Sequence, residues 1–139
     1  MRPQPAPREQ RDRRGQLSPT GSGRPETGRR GEDLVARHLT ERGFEILARN
    51  ARVGRLELDL VARRPGLVVF CEVRTRRSAA FAHPATTIDR RKAARVRAAA
   101  ARWLAEHPVG PTRIRIDAAA VVLEGPSGGP EVTYYEGAL

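Results

Sequence analysis

From Gly31 onward the apolar positions recur first at helical and then at strand spacing. Leu34, Val35, His38 and Leu39 share one helical face and Gly43 stops the pattern, which predicts a helix from about Arg29 to Arg42. Phe44 to Ala48 reads as a short strand. Arg55 to Ala62 then alternates, with Leu56, Leu58, Leu60 and Ala62 on one face and Arg55, Glu57, Asp59 and Val61 on the other. Arg64-Pro65-Gly66 interrupts it, and Leu67 to Arg74 follows as a strand rich in valine, so the pair predicts an antiparallel hairpin. After a loop through Ala79 to Pro84, a second helix is expected from Asp89, its N-cap, to Glu106, with Pro108 just beyond. Its inward stripe is Lys92, Val96, Ala99, Ala100 and Trp103. Arg113 to Leu123 and Val132 to Tyr135, separated by a Gly125 to Pro130 turn region, complete an α/β fold of order αβββαββ, with helices flanking a sheet.

Composition changes the picture upstream of that pattern. Residues 1–30 hold five of the eleven prolines, no aromatic residue, and only Met1 and Leu17 as large apolar side chains. Such a segment buries too little surface to offset chain entropy, so it is expected to be a disordered Arg/Pro/Gly-rich tail before a domain at 31–139. It admits two roles, nonspecific contact with nucleic acid or a solvated extension with none.

Charge narrows the class of partner. The 139 residues carry a formal charge of +10, and eight arginines against three acids place +5 of it in the tail. Lys92 is the one lysine among 26 basic residues, leaving 25 arginines. A balance of this size favours a polyanion. No apolar run approaches the roughly 18–20 residues that span a bilayer, and no signal-peptide core is present, so no membrane partner is expected. One cysteine, Cys71, excludes an internal disulfide and a Cys-based zinc site, in keeping with a reducing cytoplasm.

Carboxylates stand where strands rarely carry them: Glu57 and Asp59 in one strand, Glu72 in the middle of the next. Glu72 and Arg74, two apart, leave the same face. In an antiparallel pair the numbers of opposed residues have a constant sum, and an even loop makes it odd, which puts Asp59 and Glu72 on one face. With Pro65 and Gly66 at the centre of the loop the sum is 131, and the acids are directly opposed with Cβ atoms about 4.5–5.5 Å apart. An odd loop or a bulge would separate them. Two acids so close repel unless a cation lies between, and a hard divalent ion such as Mg²⁺ suits one or two carboxylates plus waters and phosphate oxygens. Such an ion activates water and offsets charge on a phosphodiester under attack. The other reading is a solvated sheet face with Arg–carboxylate cross-strand pairs. Glu32 likewise has two readings, a third acid turned towards the sheet or an acid favoured by the helix dipole. Lys92 is either a catalytic ammonium or a lysine snorkelling from a packed edge.

The segments Gly31-Glu32, Glu57-Leu58-Asp59-Leu60-Val61-Ala62 and Val69-Phe70-Cys71-Glu72-Val73-Arg74-Thr75-Arg76, with Lys92 and Arg115-Ile116-Asp117, resemble the YraN family of uncharacterised bacterial proteins. The resemblance runs from about Gly28 to Leu139. That family is similar in pattern to Holliday junction resolvases of the restriction-endonuclease-like fold, whose signature is an acid on the first helix, an Asp on one strand and Glu-x-Lys on the next. The resemblance implies Glu32, Asp59 and Glu72 as metal-site residues for Mg²⁺ or Mn²⁺, with Arg74 in the lysine position. Two departures are visible. Leu56 stands where the family has glycine, and Arg74 replaces lysine, retaining phosphate positioning by a planar fork but not proton transfer.

On the second helix Arg91, Arg95 and Arg102 form a basic stripe, widened by Arg90 and Arg97 and continued by Arg74, Arg76 and Arg77. Phosphate contacts from such side chains are salt-sensitive and largely indifferent to base sequence. Six aromatic residues give little support to base stacking. The expectation is a metal-dependent endonuclease acting on DNA, branched or damaged DNA included, with a homodimer compatible with cutting two strands. The rival is a nucleic-acid-binding protein on the same fold without chemistry. His38, His83 and His107 lack metal-ligand spacing.

Overall fold

A computed structural model describes residues 25–78 and 90–138. The tail as far as residue 24, the loop from Ala79 to Pro84, His83 and the Asp89 cap lie outside the described residues. The elements are α1 (Glu26–Thr40), β1 (Glu45–Val53), β2 (Leu56–Arg64), β3 (Leu67–Ser78), α2 (Arg90–Glu106), β4 (Arg113–Glu124) and β5 (Glu131–Tyr135). Their order is the expected αβββαββ.

Several boundaries differ for physical reasons. α1 starts at Glu26, so residues 26–30, grouped by composition with the tail, are helical. An exposed first turn needs no apolar residue, and here Glu26 favours the positive helix end and pairs with Arg29 at 3.0 Å. β1 runs on past Ala48 to Val53 because backbone pairing with β2 carries it through Arg49, Asn50 and Arg52. β3 continues through Arg74 to Ser78 in the same way, held by a parallel ladder to β4.

The five strands form one mixed sheet in the order β1-β2-β3-β4-β5. Three neighbouring pairs are antiparallel, and the parallel pair β3–β4 is joined by the crossover that contains α2. Pro65 and Gly66 form the whole β2–β3 turn, and Gly66 takes the positive φ, 83°, that a Pro-Gly turn requires. The register therefore runs from Arg64↔Leu67 to Leu60↔Cys71, the sum of 131 expected from the turn.

Each helix covers one sheet face. On the first, Val35, Ala36 and Leu39 of α1 pack on Leu60, Ala62, Val69, Cys71, Ala119 and Val121. On the second, Val96, Ala99, Ala100 and Trp103 of α2 pack on Val53, Leu58, Val61, Val68, Phe70 and Ile116. Simple alternation put Leu56, Leu58, Leu60 and Ala62 together, but Leu58, with Leu56 beside it, joins the α2 side and Leu60 and Ala62 the α1 side. The strand changes course at Asp59, between the two sets, where it leaves β3.

Asp117 of β4 is fully buried and fully bonded. It accepts from Arg115 Nε and Nη2 at 2.9 and 3.0 Å, from Tyr134 Oη at 2.5 Å and from the Gly137 amide at 2.7 Å. A buried charge persists only with such partners, and these fasten β5 and the residues after it to the sheet. Among the described residues no helix is long and apolar enough to cross a membrane.

Candidate functional site

The β2–β3 ladder stops at Leu60↔Cys71. One step on, the register would oppose Asp59 and Glu72, and there the side chains take over from the backbone. Asp59 Oδ2 accepts the Val73 amide at 2.8 Å, and Glu72 Oε2 receives the Asp59 amide at 3.5 Å. Amides that the parting strands would leave without a carbonyl are thus met by carboxylates, each acid bonding to the other's strand. This explains why acids occupy strand positions that ordinary propensity disfavours.

The pair is only partly relieved electrostatically. Glu72 is buried, and burial first, then the Asp59 charge, push its carboxyl up to about 7, while Lys92 pulls the other way. Lys92 reaches in from α2, its Nζ 3.6 Å from Glu72 Oε1 and its side chain about one-third exposed at 32 %. It stands at the edge of the packed α2 stripe with its ammonium against the acid. Two adjacent oxygen donors of one sign, closely held, are a donor set that a hard divalent cation fits, since Mg²⁺ asks for one or two carboxylates and keeps waters. Among the described residues, however, no group of three or more His, Cys, Asp or Glu is arranged to hold a metal.

The remaining candidates divide. Arg74 follows Glu72 by two on β3, on the same face and half-buried, and Arg76 continues that face in solvent. Arg77 has the opposite parity and pairs with Glu124 at 3.8 Å. Arg91 and Arg95 are exposed along α2 near Lys92. Arg102 lies ten residues further, about 15 Å along the helix. There it pairs with Glu106 at 3.5 Å, and a Cβ on Gly54 in the β1–β2 turn would sit 3.3 Å from its Nη1. The basic stripe therefore extends well away from the acids.

Glu32 does turn inward, only 2 % exposed, and accepts the Asn50 amide, Nδ2 to Oε1 at 3.1 Å. α1 is drawn down beside it because Gly31 meets Thr75 of β3 so closely that a Cβ would lie 1.8 Å from the hydroxyl. Asn50 was not among the residues that the motifs single out. Its signal is faint: an asparagine inside a strand, a residue type that strands disfavour and left-handed backbone tolerates.

The model of the uncharacterised protein family UPF0102 matches residues 31–121, which include Glu32, Asp59, Glu72, Arg74 and Lys92. A UPF0102 protein of Parafrankia sp. is 49 % identical over 112 residues, covering 81 % of this chain and 94 % of its own length. One from Acidothermus cellulolyticus is 42 % identical over 133 residues, covering 88 % of this chain and all of its own. Another, from Streptomyces coelicolor, is 45 % identical over 112 residues, covering 79 % and 85 %.

Proposed function

Since the chain belongs to the uncharacterised UPF0102 (YraN) family, whose name carries no activity, we propose from its own chemistry that it is a metal-dependent endonuclease hydrolysing phosphodiester bonds in DNA. The observation that carries this reading is the carboxylate pair Asp59–Glu72 at the β2–β3 split with the Lys92 ammonium against it. The resemblance of the motif order to Holliday junction resolvases supports the same reaction and favours branched DNA as substrate.

Asp59 and Glu72 would hold Mg²⁺ or Mn²⁺, which when bound supplies a more acidic water and charge stabilisation at the phosphate. Without an ion Glu72 is held near neutrality by burial and by Asp59, so the pair would give up a proton as the cation binds. Lys92 brings a positive donor next to the acids, where the developing charge on phosphate would gather. Arg74, on the Glu72 face, would grip a phosphate oxygen through its planar fork, and Arg76, Arg91 and Arg95 would follow the backbone outward. Arginine at 74 thus need not signal lost chemistry, because a lysine ammonium is present at the site from another element.

The test is cleavage of duplex, single-stranded and four-way-junction DNA with Mg²⁺ or Mn²⁺. Activity is expected with metal, abolished by chelation and by Asp59→Asn, and lowered about 100-fold or more in kcat by Lys92→Met. No cleavage under any condition, or full cleavage by Asp59→Asn, would overturn the proposal. Salt-sensitive DNA binding with no cleavage and no response to metal would instead establish the binding-only protein.

A further inference from the structure

Asn50 is the one non-glycine residue with a positive φ among the described residues, at 50°. Non-glycine residues adopt that conformation rarely, asparagine among the most readily, and where it occurs the surroundings must hold it. It sits inside β1, between the pairs Arg49↔Leu60 and Ala51↔Leu58, so its place in the register is opposite Asp59. What holds it is its side chain, which donates to Glu32, a carboxylate only 2 % exposed. Glu32 is itself fixed by α1, which Gly31 seats directly on Thr75 of β3, three residues past Glu72.

These contacts form one chain of support: β3 seats α1, α1 carries Glu32, Glu32 holds the Asn50 kink, and the kink lies across β1–β2 from Asp59. Asp59 in turn is where β2 leaves β3. We infer that Asn50 is a positioning residue for the carboxylate pair, and that Glu32 serves the site by accepting the Asn50 amide rather than by ligating a metal directly. This rests on the endonuclease reading, and it differs from what the family resemblance implies for Glu32.

The two roles of Glu32 separate on one substitution. Glutamine keeps a carbonyl oxygen that accepts the Asn50 amide but has no negative charge to offer a cation. The experiment is calorimetric titration of Mn²⁺ into the full chain, with thermal unfolding as the control for folding and junction-DNA cleavage as a second readout. Glu32→Gln is expected to bind Mn²⁺ within about threefold of the parent, and Glu32→Ala to weaken it about 10–100-fold, as losses of groups behind a metal ligand do. Asn50→Gly keeps access to the left-handed backbone while deleting the amide, and Asn50→Asp keeps the shape while facing Glu32 with a like charge. Both are expected to match Glu32→Ala, and Glu32→Ala with Asn50→Gly to be no worse than either alone. Loss in Glu32→Gln equal to that in Glu32→Ala would overturn the inference in favour of direct ligation. Parental affinity in both Asn50 variants would overturn it too, and neither result would touch the endonuclease reading. A parent protein that binds no Mn²⁺ would sink both.

Discussion

Glu72 is held ionisable at a cost. Its carboxyl is raised from 4.5 to about 7 in the folded protein, so between these pH values the folded state keeps a proton that the unfolded chain gives up. Stability therefore falls as pH rises from about 4.5 to about 7 and levels off above, the reverse of a carboxylate lowered by a partner. Glu72→Gln should remove this slope and stabilise the protein at pH 8 by on the order of 1–3 kcal/mol. Urea unfolding at pH 5 and pH 8 checks it, since equal effects at both would mean that Glu72 is not the source. At the same scale, Cys71 and Tyr134 are both raised by burial and stay protonated in the core, where Tyr134 donates to Asp117. The motif acid Asp117 is thereby accounted for by structure and asks for no catalytic role.

At the scale of elements, the approach of α1 to β3 depends on one missing side chain. Replacing Gly31 by alanine would ordinarily strengthen a helix by about 1 kcal/mol. Here a Cβ would come within 1.8 Å of Thr75 Oγ1 and 2.8 Å of Thr75 Cβ, far inside contact distance. The clash should win, with Gly31→Ala destabilising by about 1–3 kcal/mol in urea unfolding, and Thr75→Gly in the same chain recovering part of the loss. An unchanged or raised midpoint would refute this close seating. Legibility followed the same physics. Pro65-Gly66 centres the turn, so the register that ends one step short of Asp59 and Glu72 could be obtained by counting, and Lys92 fell on the correct helix stripe. The outer half of β1 was invisible because an edge strand with Arg49, Asn50 and Arg52 has no apolar alternation to show. Asn50 escaped because its role lies in a backbone angle and a contact with a helix 18 positions earlier, neither of which leaves a periodic trace.

For the whole molecule, the charge of +10 is carried almost entirely by arginine, which binds phosphate without titrating near neutral pH. Arg91 and Arg95 are exposed on α2, on the helix that carries Lys92. If the chain acts on DNA as proposed, its binding should weaken linearly in log–log plots against salt, and Arg91→Ala with Arg95→Ala should lower the slope by about 1–2. Fluorescence anisotropy between 50 and 200 mM salt, as orders of magnitude of useful range, checks this, and an unaltered slope would move the phosphate track elsewhere.

The strand order repeats the chain order, and this has a bearing on how the protein reaches its structure. β1, β2 and β3 form a local meander in residues 45–78, whereas α2 arrives only with the later crossover. Local pairings close at small entropic expense and are favoured early. Asp59 and Glu72 thus meet before the ammonium of Lys92 is there to moderate them, and their repulsion is already felt at the folding barrier. Stopped-flow refolding at pH 8 should then show Glu72→Gln folding faster with little change in its unfolding rate. A variant that only unfolds more slowly would place the meander late, and would make α2 the element around which the chain first condenses.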